Sequence, residues 1–418
     1  MSVFGVSIFF DKVRKAVMKK FFVWLVVVVG FCFSLNAGAV PPNLIQNGSF
    51  EVAGTSGLAY EWKKSSWGTL ASSFSYPVLG RTGKAMQVSI QKIDPFASDV
   101  GAMVEMQYLL SVRAGEKYAY LDYLRGTGSN VYLDVCYMMS NGSFLYRGLA
   151  VTKTGSVWQK TGISIVVPTG AVAMSVYRVA DSVGTFILDD VSLTAPVLPV
   201  GKGYVTFSFD DGRNERSVIS LMKNLGVRGT FFLNPTPIIE QWEPGVVFTS
   251  SDVNTLVKDG HEIANHTLTH PSLIGLSSSE LTRQVVGSKT LLENMTGRSV
   301  LTFAYPFGDV DANAYNLVKR YHIGARGVLD ASLNTRTSDR YNLNAFTPLQ
   351  NTPVSAVLSR IDQAASKGQW LILFFHSIGP GTMGMYSYLP QNLTTAINYA
   401  KQKTQIITVR EGLSGFIN

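Results

Sequence analysis

Residues Tyr204–Gly212 read Tyr-Val-Thr-Phe-Ser-Phe-Asp-Asp-Gly, and this stretch decides how the second half of the chain is interpreted. Apolar and small residues alternate as in a buried strand, which then ends in two carboxylates and a glycine suited to a tight turn. Adjacent side chains diverge at a strand end, so Asp210 and Asp211 can face one cavity with different roles, one on a metal ion and one on a water molecule. A solvated Asp-Asp-Gly turn would explain the same residues.

Downstream of this strand, apolar strands alternate with amphipathic helices. The predicted strands are 205–209, 229–233, 262–264, 301–304, 323–325, 370–375 and 405–409, and the predicted helices are 217–225, 251–258, 278–296, 312–321, 353–367 and 389–401. This alternation predicts parallel strands with helical crossovers, in a (β/α) barrel or an open doubly wound sheet. Either fold collects its active groups at the C-terminal ends of the strands.

The region upstream, from residue 40 to 195, has short strand-like segments separated by turn signals and almost no helical periodicity. This pattern predicts an all-β sandwich. Residues 196–203 are rich in proline and glycine and are interpreted as a linker, which leaves 204–418 as the second domain.

The composition is that of a globular, turn-rich protein, with 15% charged and 11% aromatic residues among 418. The formal charge of +8 overstates its basicity, because residues 1–39 hold five Lys or Arg and one Asp, and their removal leaves 31 basic and 27 acidic residues, or +4. The remaining basic residues are scattered, which argues against a nucleic-acid-binding surface.

The first 39 residues are typical of a bacterial signal peptide. Lys19 and Lys20 precede an apolar run from Phe21 to Leu35, and Ala37-Gly38-Ala39 supplies small residues for cleavage after Ala39. The run is shorter than the roughly 20 residues of a membrane anchor, which is the alternative interpretation. We therefore expect a secreted, periplasmic or cell-envelope protein without a stable membrane anchor, whose single remaining cysteine, Cys136, is an ordinary strand residue.

Five residues that could carry chemistry fall at or just past the ends of predicted strands: Asp210, Asp211, His266, His270 and His376. On a helical turn, the spacing of His266 and His270 would point both imidazoles towards one ion, with Asp211 as a third ligand. Such a set leaves positions open for water and substrate, as in a catalytic zinc site. His261 and His322 need no catalytic role.

Four segments, taken in order, resemble the motifs of the polysaccharide deacetylases, the NodB-homology or carbohydrate esterase family 4 domain. They are Phe207–Gly212, the segment Asn265-His266-Thr267-Leu268-Thr269-His270-Pro271, Tyr305-Pro306-Phe307-Gly308 and Leu373-Phe374-Phe375-His376. The resemblance implies a distorted (β/α) barrel that removes acetyl groups with the help of a divalent metal ion, expected to be zinc. It covers about residues 203–409.

The resemblance also implies a role for each matching residue. Asp210 would be the base that activates water, and Asp211, His266 and His270 would bind the metal. Tyr305–Gly308 would line the pocket, with the Phe307 amide helping to stabilise the oxyanion, and His376 would protonate the leaving group. Members of the family commonly carry an arginine two residues before the proline of the third motif, where it orients the catalytic aspartate, but this chain has Ala304. The region 326–339 also lacks the tryptophan of a further family motif. The Tyr-Pro-Phe-Gly form without the arginine resembles a recognised branch of the family, so we interpret it as a subfamily character.

The two ends of the first domain, residues 43–51 and 186–193, resemble the first and last strands of jelly-roll carbohydrate-binding modules. That resemblance implies a sugar-binding surface, for which Tyr60, Trp62 and Trp67 are candidates because they lie in a Gly- and Ser-rich region that we interpret as a loop. Core packing is an equally good explanation of such rings. It also implies a structural calcium ion near Glu51 and Asp189.

The expected function is removal of N-acetyl groups from an N-acetylglucosamine-containing polysaccharide such as chitin, peptidoglycan or poly-N-acetylglucosamine. Two alternatives remain open at this point, an O-acetyl esterase acting on acetylated polysaccharide and a catalytically degenerate carbohydrate-binding protein.

Overall fold

The computed structural model describes residues 41–97, 99–212, 216–236, 248–330, 332–379 and 384–417. The predicted signal peptide therefore lies outside the described residues. Within the described residues, no helix has the length and apolar character needed to cross a membrane.

The first half of the chain forms two antiparallel sheets. Their strands are β1 Trp62–Trp67, β2 Leu70–Leu79, β3 Lys84–Ile93, β4 Gly101–Met106, β5 Leu110–Ser111, β6 Lys117–Thr127, β7 Asn130–Met139, β8 Phe144–Lys153, β9 Gln159–Val166, β10 Ala171–Ala180 and β11 Gly184–Thr194. One sheet has the order β1-β4-β10-β7-β8 with β5 beside β10, and the other has the order β2-β3-β11-β6-β9. The predicted all-β region is confirmed, while the jelly-roll connectivity stays a prediction.

Alternation along the strands builds the core between the two sheets. Val135 of β7 and Val176 of β10 face Phe186 of β11, and all three belong to one buried apolar cluster. Cys136 points the other way and is buried among Met103, Tyr177 and Val179, which agrees with its interpretation as an ordinary strand residue.

The second half of the chain is built on parallel strands. They are β12 Tyr204–Asp211, β13 Thr230–Leu233, β14 Glu262–Asn265, β15 Thr302–Ala304, β16 Gly324–Asp330, β17 Leu343–Ala345 and β18 Trp370–Phe375, followed by the short strands β19 Ser377–Ile378, β20 Ser387–Tyr388 and β21 Gln405–Ile406. The sheet order is β17-β16-β15-β14-β13-β12-β18, with β21 beside β12. Phe346, just after β17, forms a parallel bridge with Leu373 of β18, so the sheet nearly closes into a barrel. The structure thus favours the barrel over the open sheet.

The helices are α1 Arg216–Asn224, α2 Ser250–Lys258, α3 Ser278–Thr282, α4 Ser288–Thr296, α5 Ala312–Tyr321, α6 Val354–Lys367, α7 Pro390–Lys403 and α8 Val409–Gly415. The predicted helix 278–296 is interrupted by a π-helical turn at Arg283–Gly287, between α3 and α4. The predicted strand 405–409 is too long, because Thr408 caps α8 by accepting a hydrogen bond from the amide of Glu411.

The sandwich and the barrel are in direct contact. The amide of Leu109 donates to Gly297 O at 3.2 Å, and the amide of Ser299 donates to Leu109 O at 3.0 Å. Lys289 of α4, which is fully buried, lies 2.5 Å from a carboxylate oxygen of Glu61 in the sandwich. These contacts fix the two halves against each other.

The predicted linker is held on the barrel. The amide of Leu198 donates to Gly415 O at 2.6 Å, and Arg336 Nη2 donates to the carbonyl oxygens of Leu198 and Pro199 at 2.9 and 3.0 Å. Residues 196–203 are therefore a bound connection rather than a free hinge.

Candidate active site

Neighbouring parallel strands bring the predicted catalytic residues to one rim of the barrel. Phe209 of β12 pairs with Phe375 of β18. The next residues along the two strands, Asp210 and His376, therefore lie side by side at adjacent strand ends. His266 follows directly after β14, and Tyr305 follows directly after β15. The rim is the C-terminal one, as predicted for this class of fold.

Asp211, His266 and His270 form a compact cluster at this rim. His266 Nε2 and His270 Nε2 each lie 3.5 Å from Asp211 Oδ1, and one ligand atom from each residue falls within 4.8 Å of the others. All three residues are buried. Among the described residues, no other group of three or more His, Cys, Asp or Glu could hold a metal ion.

The two histidines lie on a loop rather than on the predicted helical turn. Thr267 and His270 have φ values of 70° and 60°, in the left-handed region, which interrupts a helix. Side chains close the loop in place of helical hydrogen bonds: Asn265 Oδ1 accepts from the Thr267 amide and Thr267 Oγ1 accepts from the His270 amide, both at 3.0 Å. The expected helical turn is wrong, although both imidazoles do converge on Asp211.

Four of the eight non-glycine residues with left-handed φ in the described part of the chain lie at this rim. Asp211, Thr267, His270 and Phe307 have φ between 58° and 70°. Non-glycine residues adopt this conformation at a cost, and such strain persists where the surrounding structure enforces it, often at functional sites.

A second layer of side chains, which the sequence analysis missed, supports the metal-binding loop. Gln284 of the π turn is 1% exposed, and its Oε1 accepts from the amides of Leu268 and Thr269, both at 3.0 Å. From the other side, Asn234 Nδ2 donates to the carbonyl oxygens of His266 and Thr267. A π turn inserts one extra residue into a helix and is often found beside functional sites.

His266 is held in the tautomer that a metal ligand needs. Its Nδ1 lies 2.8 Å from the carbonyl oxygen of Ala304, which can only accept, so Nδ1 carries the proton and Nε2 presents its lone pair towards Asp211. Burial, together with the positive charges of His270 and Arg326 nearby, holds the pKa of His266 well below its usual value. The residue is therefore neutral near pH 7.

The donor set fits a divalent transition metal ion. Two imidazole nitrogens and one carboxylate oxygen match catalytic zinc sites, which keep further positions open. The backbone acceptor on His266 Nδ1 is the kind of outer partner that orients such ligands.

Asp210 is paired with an arginine that the sequence analysis did not identify. Arg326 Nη2 donates to Asp210 Oδ2, and the two residues are 1% and 2% exposed. Arg326 lies on β16 in register with Ala304 of β15. Ala304 is the position at which members of the family commonly carry an arginine. Oδ1 of Asp210 is buried and has no hydrogen-bond partner among the described residues.

His376 is partly buried between two rings. The Phe374 ring lies 5.5 Å and the Tyr386 ring 5.1 Å from the imidazole, centre to centre. Its Nδ1 makes no hydrogen bond within the described part of the chain.

Tyr305–Gly308 form a tight 3₁₀ turn beside the histidines. Gly308 has φ of 78°, and a Cβ there would come within 2.8 Å of the Val328 side chain, so the turn requires glycine. The Phe307 ring packs edge-on against His270 at 4.7 Å and is 54% exposed. The predicted pocket residues thus border the metal cluster.

The three rings predicted to bind sugar do not form an exposed platform. Trp62 is 3% exposed and packs on Phe50 in the sandwich core. Tyr60 lies at the domain interface, edge-on to Tyr321 at 5.4 Å. Trp67, at the end of β1, hydrogen-bonds Asp99 through Nε1 at 2.9 Å, and its ring occupies the space where a Cβ of Gly101 would lie. Alternation along β1 turned Trp62 inward, which the interpretation of this segment as a loop did not anticipate.

Glu51 and Asp189, the predicted calcium ligands, close a turn of the sandwich. Asp189 Oδ2 accepts from the amides of Arg81 and Thr82 at 2.7 and 3.1 Å, and Glu51 Oε1 accepts from the amide of Lys84 at 2.8 Å. Each carboxylate thus has a backbone donor on one oxygen, and the calcium site stays a prediction.

Part of the chain that carries this site is similar to known proteins. Residues 198–325 match the family model described as polysaccharide deacetylase. Residues 198–325 thus carry a domain of the polysaccharide deacetylase family. Arg326 and His376 lie beyond the matched residues of this deacetylase domain, so their placement rests on the structure.

Curated relatives of the deacetylase domain include a peptidoglycan-N-acetylglucosamine deacetylase of Bacillus cereus, 28% identical over 28% of this chain and 40% of the relative. A chitin deacetylase of Pestalotiopsis is 28% identical over 34% of this chain and 47% of the relative. The chain thus spans less than half the length of either relative. A solved xylanase Xyl-CE4 domain from the hindgut metagenome of Trinervitermes trinervoides aligns with TM-score 0.36 and 20% identity, covering 50% of this chain and 89% of that one.

Proposed function

We propose that this protein is a secreted, metal-dependent deacetylase that removes N-acetyl groups from a polysaccharide containing N-acetylglucosamine. The observation that carries the proposal is the buried cluster of Asp211, His266 and His270 beside Asp210, at the rim of a domain of the polysaccharide deacetylase family. The relatives named above act on such glycans, which supports the substrate class.

Asp211, His266 and His270 would hold the metal ion, with zinc as the expected species. When bound, such an ion supplies Lewis-acid polarisation of a carbonyl group and acidifies water. The protein contributes the neutral Nε2 of His266, which Ala304 orients, and the loop that Gln284 and Asn234 hold in place.

Asp210 and His376 would handle the two protons of amide hydrolysis. Asp210, as a carboxylate, takes a proton from the attacking water, and the neighbouring His376 gives one to the departing nitrogen. The amide of Phe307, in the turn after Pro306, would stabilise the negative charge that develops on the carbonyl oxygen. An amine leaves poorly without protonation, so an acid at His376 suits an acetamide.

Two exposed rings at the rim support a sugar substrate. Phe307 stands against His270, and Tyr386, 44% exposed, stands against His376. Aromatic faces beside a catalytic centre suit the apolar C–H faces of pyranose rings.

The alternative of a degenerate binding protein loses its main support. Ala304 in place of the family's arginine is the sequence feature that favours this alternative, whereas Arg326 of β16 places a guanidinium on Asp210.

The test is an acetate-release screen of the purified protein with one equivalent of zinc over chitin oligomers, peptidoglycan, poly-N-acetylglucosamine and acetylated xylan. We expect acetate together with an equal amount of new free amine from at least one N-acetylated glycan. Acetate from xylan alone would identify an O-acetyl esterase. Stoichiometric metal binding without acetate from any substrate would point to a binding protein and refute the proposal.

A further inference from the structure

In the buried pair of Asp210 and Arg326, the two carboxylate oxygens of Asp210 differ in their hydrogen bonding. Arg326 Nη2 donates to Oδ2, which also lies 4.0 Å from His266 Nε2. Oδ1 is buried as well, yet no described residue hydrogen-bonds to it. One oxygen of the carboxylate is therefore engaged, and the other keeps its lone pairs available.

Arg326 reaches Asp210 across the interior of the barrel. Arg326 is on β16 and Asp210 is on β12, with three strands between them in the sheet order. The residue in register with Arg326 on β15 is Ala304, which is fully buried.

Contacts other than the one with Asp210 also hold the Arg326 guanidinium in place. Its centre lies 4.4 Å from the Phe374 ring and 5.1 Å from the Phe232 ring, on the two strands that flank β12. Arg326 Nη1 also donates to Gly327 O at 3.2 Å. Cation–π contacts and a backbone acceptor restrain the arginine, so it can in turn restrain the aspartate.

The pairing also has an electrostatic reason. Among the described residues, Asp210 is the one carboxylate within ion-pair distance of Arg326. Removing one member of a buried pair leaves an uncompensated charge, which is strongly unfavourable. Arg326 thus holds the Asp210 carboxylate in one rotamer.

We infer that Arg326 is a positioning residue that selects Oδ1 of Asp210 as the atom that accepts the proton. The inference rests on the proposed deacetylase function. Arg326 does not touch substrate; it occupies Oδ2 and so leaves Oδ1 as the oxygen that can face the attacking water. The arginine that positions Asp210 thus lies on β16, in register with Ala304 of β15.

The test compares the zinc-loaded Arg326→Gln variant with the wild type on the best substrate of the screen. Glutamine keeps the polar character and much of the volume but removes the charge and the fork of donors. We expect kcat to fall about a hundredfold, as for a misplaced catalytic group, with KM within about twofold and unchanged zinc stoichiometry. Arg340→Gln, which removes another partly buried arginine of the same domain, is the matched control and should change kcat by less than about twofold.

Two further measurements separate positioning from stability. Guanidine hydrochloride at millimolar concentration should restore part of the activity of Arg326→Ala and none of that of Asp210→Asn. A crystal structure of Arg326→Gln should show the Asp210 carboxylate rotated, with Asp211, His266 and His270 unmoved, and this readout needs no activity. If wild-type activity is absent, the proposed function fails and the crystal structure still tests the positioning role. Wild-type kcat in Arg326→Gln, or an unmoved Asp210 carboxylate, would overturn the inference.

Discussion

The side-chain amide of Asn265 donates to the carbonyl oxygen of Val285, 2.8 Å away, so the last residue of β14 is bonded to the π turn between α3 and α4. One residue earlier in the same turn, Gln284 holds the amides of Leu268 and Thr269. The loop that carries both histidines is thus anchored to an irregular part of a helix, and its conformation depends on that irregularity.

Gln284→Ala should therefore weaken metal binding without removing a ligand. Loss of an outer partner typically costs ten- to a hundredfold in metal affinity, and we expect a loss of that size in a competitive zinc titration. Gln363→Ala, at an exposed position of α6, is the matched control and should leave the affinity unchanged. Equal affinities for the two variants would show that the π turn does not support the site.

His266→Ala and His270→Ala should each lose most of the bound metal, because each removes one of three protein ligands. The measurement is metal content after dialysis against trace zinc, where the wild type should hold one ion per chain. His261→Asn is the control, since His261 Nδ1 accepts from the Gly229 amide at the start of β13, away from the rim. Stoichiometric zinc in the double variant of His266 and His270 would contradict the assignment.

Asp210→Asn and His376→Ala should differ in how strongly they slow the cleavage of amide and of ester bonds. Loss of the base should slow amide and ester hydrolysis alike, by roughly a hundred- to ten-thousandfold. Loss of His376 should slow an acetamide far more than an aryl acetate, because an aryloxide leaves without protonation. The comparison uses kcat/KM on an N-acetylated glycan and on 4-nitrophenyl acetate. An equal loss on both substrates in His376→Ala would assign the histidine a role other than proton donor.

Acid should destabilise the fold through two buried histidines outside the site. Burial lowers the pKa of His261 to about 4 and that of His322 to about 3. Because these folded-state pKa values lie below the unfolded value, the stabilisation is fully present above about pH 6.5 and is lost as the pH falls from there towards 4 and 3.

At pH 4.5 each histidine should have lost about 3 kcal/mol of its contribution to the free energy of unfolding, since one pKa unit corresponds to about 1.4 kcal/mol. His261→Asn, whose amide oxygen can still accept from Gly229, should show a shallower loss of stability between pH 7 and 4.5 in urea titrations. The same pH slope in this variant and the wild type would rule His261 out as a source of acid sensitivity.

Lys289→Ala should strongly destabilise the contact between the two domains. Lys289 is fully buried and pairs with Glu61 of the sandwich and Glu293 of its own helix, so its removal leaves two buried acidic side chains without a positively charged partner. Breaking a buried pair in this way costs about 3–5 kcal/mol. Thermal unfolding measures the effect, with the exposed Lys401→Ala as control, and the further changes Glu61→Gln and Glu293→Gln should recover part of the loss. A midpoint equal to that of Lys401→Ala would contradict the prediction.

Local patterns in the sequence were enough to predict the strand ends that carry the chemistry. The abrupt change from Phe209 to Asp210, and from Phe375 to His376, marks a polar residue at the end of a buried strand. Because parallel strands end at the same rim, placing these residues together required no knowledge of the sheet order.

Features that depend on register or on local strain could not be predicted. The spacing of His266 and His270 is equally compatible with a helix, and only the left-handed Thr267 and His270 exclude it. Arg326 and Asp210 are 116 residues apart in the sequence. Their contact depends on how β16 pairs with β15, and the pattern of apolar and polar residues does not reveal that pairing. The Gly- and Ser-rich residues around Trp62 favour a loop, whereas the structure has the short edge strand β1 there.

The hydrogen bonds between Leu109 and the chain at Gly297 and Ser299 lie just before β15 begins, at the end of the barrel opposite the catalytic rim. The contact between Arg410 and Ser111 O, at 2.8 Å, lies at the start of α8 rather than at the rim. These described contacts hold the sandwich at the base of the barrel, away from Asp210 and His376. The sandwich therefore sets the direction in which the catalytic rim faces through the base of the barrel.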